Sequence, residues 1–177
     1  MNAQKFTQKS LEALQAAQSI AIQYQNQQIE QPHLAYALAD QEGGLIPELL
    51  QKLNVESSRF IQACEQAIGR IPRVSGPGRE QGKVYISQDV DAALNAAQAQ
   101  ADHMKDEYVS VEHVFLGLIE RANPAMKGVF EQFGIRKDAF LTALQSVRGG
   151  QRVTSETPEE TYDALKKYGQ DLTDLAR

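Results

Sequence analysis

The sequence predicts an all-α protein built from two pseudo-symmetric four-helix repeats that pack together. Apolar residues recur at helical spacing, most clearly from Ser110 to Glu120, where they would cover one face of a helix. A similar phrase occurs 80 positions earlier, and this register holds without a gap from Phe6 to Ala67. Identical residues occupy equivalent places in both halves, among them Leu14 and Leu94, Ala17 and Ala97, His33 and His113, and Phe60 and Phe140.

The first repeat, about residues 6–68, is predicted to hold four helices. Thr7 is a suitable N-cap for the first helix. The apolar face of that helix is formed by Leu14, Ala17, Ala21 and Tyr24. Pro32 suits the first turn of the second helix, where its missing amide proton does little harm.

The other two helices of this repeat follow a glycine break. Gly43 and Gly44 interrupt the chain before a short, leucine-rich third helix. Ser57 or Ser58 is expected to cap the fourth helix, and Gly69 is expected to end it. The break at Gly43-Gly44 has its counterpart at Asn123-Pro124 in the second repeat, as a duplication requires.

The second repeat is predicted to span residues 86–148, after a Pro- and Gly-rich connector over residues 69–85. Ser87 takes the capping place of Thr7. Small residues at the expected helix contacts would let helices approach closely: Ala16, Ala17, Ala96 and Ala97. Because each repeat alone could bury little apolar surface, the two are expected to share one core within a domain of residues 1–148.

Beyond Gly149 and Gly150 the helical pattern fades. Residues 149–160 are polar and are expected to form a flexible linker. Residues 161–177 carry too few apolar side chains to fold alone and are interpreted as the truncated beginning of a further module.

Composition excludes several classes of function. The formal net charge is −5 and no basic block is present, which argues against a nucleic-acid surface. The single cysteine, Cys64, cannot form an intramolecular disulfide and fits a reducing compartment. No apolar run approaches the roughly 20 residues of a membrane span, and no signal-peptide pattern is visible. A cytoplasmic protein that binds neither nucleic acid nor membrane is therefore expected.

No pattern of catalytic or metal-binding residues stands out. His33 and His113 occupy equivalent places, lack metal-ligand spacing and are expected to be structural, bonding near helix starts. His103 is expected to face solvent. Cys64 is equivalent to Leu144, which indicates a small buried apolar side chain. Since Ser110 has no base and acid around it and no phosphate-binding loop occurs, the chain is expected to be non-catalytic, with no metal or cofactor.

A cluster of carboxylates surrounds the junction of the first two helices of the second repeat: Asp102, Asp106, Glu107 and Glu112. Two interpretations are open, a solvated acidic face or the polar rim of a binding groove. Two helical lobes must meet at a seam, and a groove there would suit a peptide with apolar side chains. The competing interpretation is a fully packed seam in a passive spacer.

Particular phrases resemble a known family. The duplicated body, with Glu30–Asp40 followed by Gln41–Gly44, and Ser110–Glu120, resembles the N-terminal domain of the Clp ATPase chaperones. Arg148–Val153, Ala164–Gly169 and Asp171–Thr173 resemble the junction between that domain and the first ATPase module in the disaggregating branch of the family.

This resemblance implies a substrate-engaging domain, mobile on its linker, that binds exposed apolar segments of unfolded or aggregated polypeptides. The alternative is a mobile gate or spacer over a ring pore, without substrate affinity. Thr7, Asp106 and Glu112 match family positions implicated in function, and the resemblance places the groove near Val109 and Val114.

The resemblance also implies a longer parent protein. That parent would contain two AAA+ ATPase modules that use ATP and Mg, and a coiled-coil middle domain. It would form a homohexamer and disaggregate stress-denatured proteins with the DnaK chaperone system. This chain carries no Walker A motif or arginine finger, and it is expected to be monomeric and to hold no cofactor.

Overall fold

The computed structural model describes residues 3–74, 84–149 and 153–154 of the 177-residue chain. A 3₁₀ turn over Ala3–Lys5 precedes the first half, whose helices are α1 (Gln8–Gln23), α2 (Gln31–Asp40), α3 (Leu45–Lys52) and α4 (Ser57–Gly69). The helices of the second half are α5 (Gln88–His103), α6 (Val111–Glu120), α7 (Pro124–Gln132) and α8 (Lys137–Arg148). The predicted helical architecture is thereby confirmed. Most of the predicted connector and linker lies outside the described residues.

α1 and α5 start after the predicted capping residues. The hydroxyl oxygen of Thr7 accepts the backbone N–H of Ser10 at 3.2 Å, and that of Ser87 accepts the N–H of Val90 at 3.1 Å. Pro32 lies in the first turn of α2, as predicted.

The predicted serine cap of α4 is wrong. Glu56 is its N-cap, because the backbone N–H groups of Arg59 and Phe60 already bond to the Glu56 carbonyl, each at 3.1 Å. Ser57 and Ser58 therefore lie inside the first turn, and Gly69 is the last helical residue.

Two short parallel strands were not anticipated. β1 (Gln28–Ile29) pairs with β2 (Tyr85–Ile86), with Ile29 opposite Ile86. A two-residue strand is too short to show alternating polarity in a sequence, so an all-helical interpretation misses it.

A second strand contact repeats the first by pseudo-symmetry. Phe6 forms an isolated parallel bridge with Val109, and these are the residues 80 positions from Ile86 and Ile29. The N–H of Thr7 donates to the Val109 carbonyl at 3.0 Å, and the N–H of Ser87 donates to the Ile29 carbonyl at 3.0 Å. Each repeat thus joins its first helix to the entry of the other repeat's second helix.

Helix contacts between the halves are also reciprocal. α2 packs on α6, the contact of α3 with α8 is matched by that of α7 with α4, and the contact of α3 with α6 is matched by that of α7 with α2. Exchange of equivalent elements across an interface is the mark of a twofold relation. The helical contacts and the strand bonds therefore show that the two predicted repeats are related by a pseudo-twofold axis.

One hydrophobic core runs through both halves. Phe60 of α4 lies against three rings of the second half, with centroid distances of 5.9 Å to Phe115, 6.2 Å to Phe130 and 5.8 Å to Phe133. The expectation of a shared core is confirmed.

Small residues do line the close helix contacts, with one correction. Ala17, Ala96 and Ala97 are buried, but Ala16 is exposed, because it lies on the outer face of α1. In the second repeat Gly117 adds a closer approach, since a Cβ atom there would lie 2.1 Å from the Ala93 carbonyl oxygen.

Candidate functional site

All five residues proposed to bind substrate are buried. The exposed fractions are 0% for Thr7, 7% for Asp106, 0% for Val109, 0% for Glu112 and 1% for Val114. None of them therefore offers an open side-chain surface to a ligand. Their role in substrate binding stays a prediction, and a substrate would reach them only through local opening of the domain.

Thr7 and Val109 belong to the strand contact that joins the two halves. The Val109 carbonyl accepts the Thr7 N–H at 3.0 Å and the Ser10 hydroxyl at 3.0 Å. The start of α1 is thereby fixed to the segment that enters α6.

Asp106 and Glu112 belong to a buried polar network inside the second repeat. Asp106 Oδ2 lies 2.7 Å from His113 Nε2, and Asp106 Oδ1 accepts Arg148 Nη2 at 2.6 Å. The same Oδ1 accepts the backbone N–H of Val153 at 2.8 Å. We call Asp106, Ser110, Glu112, His113 and Arg148 the Asp106 network.

His113 is oriented by the turn that starts α6. Its Nδ1 accepts the backbone N–H of Ser110 at 2.9 Å, which leaves Nε2 as the nitrogen that donates to Asp106. This is a capping box with histidine in the place usually taken by Glu or Gln. The side chain of Ser110 donates to one oxygen of Glu112.

Charge balance in the network depends on Arg148. Its guanidinium contacts Asp106 and lies 3.7 Å from the second oxygen of Glu112. That Glu112 oxygen is buried and, among the described residues, accepts no hydrogen bond. One buried arginine therefore faces two buried carboxylates, an arrangement in which loss of the cation would be costly.

The pKa of Asp106 reflects this environment. Burial alone would raise the pKa of the carboxyl, but hydrogen bonds from His113, Arg148 and Val153, with the positive charge of Arg148, lower it to about 2. Asp106 is therefore ionised throughout the physiological pH range.

The two interpretations of the acidic cluster both need correction. Asp102 and Glu107 are exposed, as a solvated face requires. Asp106 and Glu112 are neither solvated nor on a rim, because Arg148, His113 and Ser110 hold their carboxylates in the interior.

The first repeat contains a neutral version of the same arrangement. His33 Nδ1 accepts the N–H of Glu30 at 2.8 Å, and His33 Nε2 lies 2.7 Å from Asn26 Oδ1. Where the second repeat has Asp106, Glu112 and Arg148, the first has Asn26, Pro32 and Ile68. Burial lowers the pKa of His33 to about 4, so this ring is neutral at pH 7. The structural roles predicted for both histidines are confirmed.

Arg148 is the residue that sequence reasoning missed. Its equivalent is the buried Ile68, so an arginine at an apolar core position was the available signal. Val153 was likewise assigned to the flexible linker, but in the structure it is fully buried.

Cys64 and His103 behave as predicted. Cys64 is buried, and burial raises the pKa of its thiol. His103 is exposed at the end of α5. Within residues 3–74, 84–149 and 153–154, no group of three or more His, Cys, Asp or Glu side chains is placed to hold a metal ion. No helix in that part of the chain is long and apolar enough to cross a membrane.

Tyr85 is the large hydrophobic side chain that the described structure leaves most exposed, at 73%. It lies on β2, opposite Gln28 of the first repeat and therefore on the seam between the halves.

Comparison with known proteins identifies the class. Residues 5–133 match the family model described as the Clp repeat (R) N-terminal domain. The chain belongs to this family. Its duplicated helical fold agrees with the Hsp104 N-terminal domain from Candida albicans, with a TM-score of 0.75 at 24% identity over 88% of this chain and 99% of that one.

Curated relatives of the chain include chaperones named ClpB. The chain is 45% identical, over its full length, to chaperone protein ClpB of Nitratidesulfovibrio vulgaris, and 40% identical, over 97% of its length, to that of Bacillus anthracis. It spans only 21% and 20% of these relatives. A ClpV N-domain solved in complex with a VipB peptide shares the fold, with a TM-score of 0.64 at 18% identity over 87% of this chain and 91% of that one.

Proposed function

We propose that this chain is the substrate-engaging N-terminal domain of an ATP-dependent chaperone that disaggregates and refolds stress-denatured proteins. Its ligand would be an exposed apolar segment of an unfolded or aggregated polypeptide. The observation that carries this proposal is family membership, combined with relatives that are ClpB chaperones over all or nearly all of this chain. The ClpV N-domain complex adds that a domain of this fold can hold a peptide.

The parent activities belong to the same proposal. The longer protein would act in the cytoplasm as a homohexamer that hydrolyses ATP with Mg and cooperates with the DnaK system. This chain would contribute recognition and no catalysis. The length of the relatives supports this, since about four fifths of each lies outside the match.

The seam is the proposed contact surface. Tyr85 offers an exposed ring there, and aromatic side chains are frequent anchors in binding sites. Short parallel strands on the same seam bring two chain segments side by side at the surface, where an extended peptide could lie across them.

The test is a titration of an unfolded, apolar peptide against the isotope-labelled chain, followed by amide chemical shifts. We expect weak binding, because ordering a flexible peptide opposes association, with shifts concentrated around residues 28–29, 84–86 and 109. Tyr85→Ala should weaken binding roughly five-fold, the loss expected for a modest anchor, whereas Tyr85→Phe should retain it. Absence of shifts, or shifts away from the seam, would contradict substrate engagement.

The alternative of a gate or spacer is tested in the full-length parent. Replacing this domain with an unrelated one of similar size should impair disaggregation if the domain engages substrate. Undiminished activity on every substrate would favour the spacer.

A further inference from the structure

The backbone beyond α8 returns to the body of the domain. Arg148 ends α8, and Gly149 adopts a positive φ of 59°, a conformation that suits glycine. Val153 is then completely buried. Its carbonyl accepts the N–H of Glu107 at 2.7 Å, and its N–H donates to Asp106 Oδ1 at 2.8 Å.

These two bonds fix one residue from both sides. Glu107 contributes a backbone donor, and Asp106 contributes a charged acceptor, which forms stronger hydrogen bonds than a neutral one. Because Arg148 contacts the same Asp106 oxygen, at 2.6 Å, the acceptor is held in place from the end of α8 itself.

The first repeat has an equivalent pair of hydrogen bonds in which the donor and acceptor roles are exchanged. Beyond α4, Asn26 Nδ2 donates to the Pro72 carbonyl at 3.5 Å, and the N–H of Val74 donates to the Gln25 carbonyl at 2.7 Å. Asn26 must offer an oxygen to His33 and an N–H to a carbonyl. Asp106 must offer oxygens on both sides, to His113 and to an N–H. The difference between Asn and Asp thus matches the backbone group that each side chain meets.

From this matched chemistry we propose that Asp106 is a latch that docks Val153, so that the following part of the chain is held to the domain at residue 153 instead of at the end of α8. A connection to a following module would then begin after Val153. If released, five residues could extend that connection by at most about 18 Å. Asp106 is in this sense a positioning residue that controls where the domain ends.

The test uses amide hydrogen exchange in the 177-residue chain, read by NMR. Asp106→Asn should speed exchange at Val153 and Glu107 at least tenfold. If the asparagine side chain keeps its oxygen toward His113, its NH₂ group faces the N–H donors of Arg148 and Val153, and both hydrogen bonds are lost. Val74, held by the equivalent device of the first repeat, should be unchanged. Glu107→Gln, which removes the same charge from an exposed neighbour, should leave all three rates unchanged.

Several outcomes would overturn the proposal. Unchanged exchange at Val153 in Asp106→Asn would do so, as would equal acceleration in Glu107→Gln. If Asp106→Asn accelerates all amides together, Val153→Pro decides, since it removes the donated N–H and leaves every side chain of the Asp106 network in place. Faster exchange at Glu107 with Val74 unchanged would then support the latch, and continued protection of Glu107 would refute it.

Discussion

His33 is a buried side chain whose protonation the fold opposes. Its Nδ1 faces the N–H of Glu30, so a proton placed there would meet another donor. The pKa is about 4, against 6.5 for a free histidine. A lowered pKa means that the unfolded chain binds the proton more readily. The stabilisation by the neutral ring is therefore complete above pH 6.5 and is lost as the pH falls toward 4.

His33→Gln should remove this pH dependence. Glutamine is a normal partner in a capping box and does not titrate. Between pH 7 and pH 4.5 we expect the free energy of unfolding of the unsubstituted chain to fall by about 2 kcal/mol more than that of the His33→Gln variant. Urea denaturation at the two pH values measures this difference. His103→Gln, at an exposed position, should lose as much stability between the two pH values as the unsubstituted chain. An equal loss in His33→Gln would show that His33 is not the source of the pH dependence.

Single residues also show where sequence reasoning reached its limit. The equivalence of His33 and His113 and the burial of Cys64 could be predicted from the duplication alone. The network of Asp106 could not, because its partners Arg148 and Val153 lie 42 and 47 residues away and reach it only through the fold. Spacing along one helix carries no record of such contacts.

The close packing of α5 against α6 depends on the absence of a side chain at Gly117. Gly117→Ala should destabilise the domain by several kcal/mol, because its Cβ would overlap the Ala93 carbonyl, which belongs to a helix backbone that yields little. Thermal and urea unfolding measure the loss. Gly128→Ala on α7 is the matched control, since nothing lies within 4 Å of its Cβ.

The control variant should be more stable than the unsubstituted chain. Alanine in an exposed helix stabilises by about 0.5–1 kcal/mol relative to glycine. If both variants were stabilised alike, the close approach of α5 and α6 would be excluded.

Helices were predictable and strands were not, for a physical reason. A helix of ten or more residues repeats its apolar face several times, as α5 and α6 do. β1 and β2 offer two residues each, and their partners come from the other repeat. Only the duplication hints at them, since the segments before α1 and α5 are equivalent.

At the scale of the molecule, the shared core makes each half dependent on the other. Phe60 packs its ring among three rings of the second half, and both strand contacts join opposite halves. A fragment of residues 1–80 would therefore expose the faces of α2, α3 and α4 that the second half covers. We expect it to be largely unfolded by circular dichroism.

Mixing this fragment with residues 81–177 should restore helical signal, because the cut falls between the repeats. A first half that unfolds cooperatively by itself would contradict a common core. The two-repeat architecture could be predicted because the register of 80 residues is ungapped. The pairing of strands from opposite repeats is visible only in the folded structure.

The bridge between Phe6 and Val109 sets an order of events during synthesis. The hydroxyl of Ser10 bonds to a carbonyl 99 residues later in the chain. A ribosome would therefore release the beginning of α1 long before the residue that secures it is translated. Until then the start of α1 would need to stay shielded from premature association. Slowing translation before the codon for Val109 should prolong the sensitivity of the start of α1 to protease.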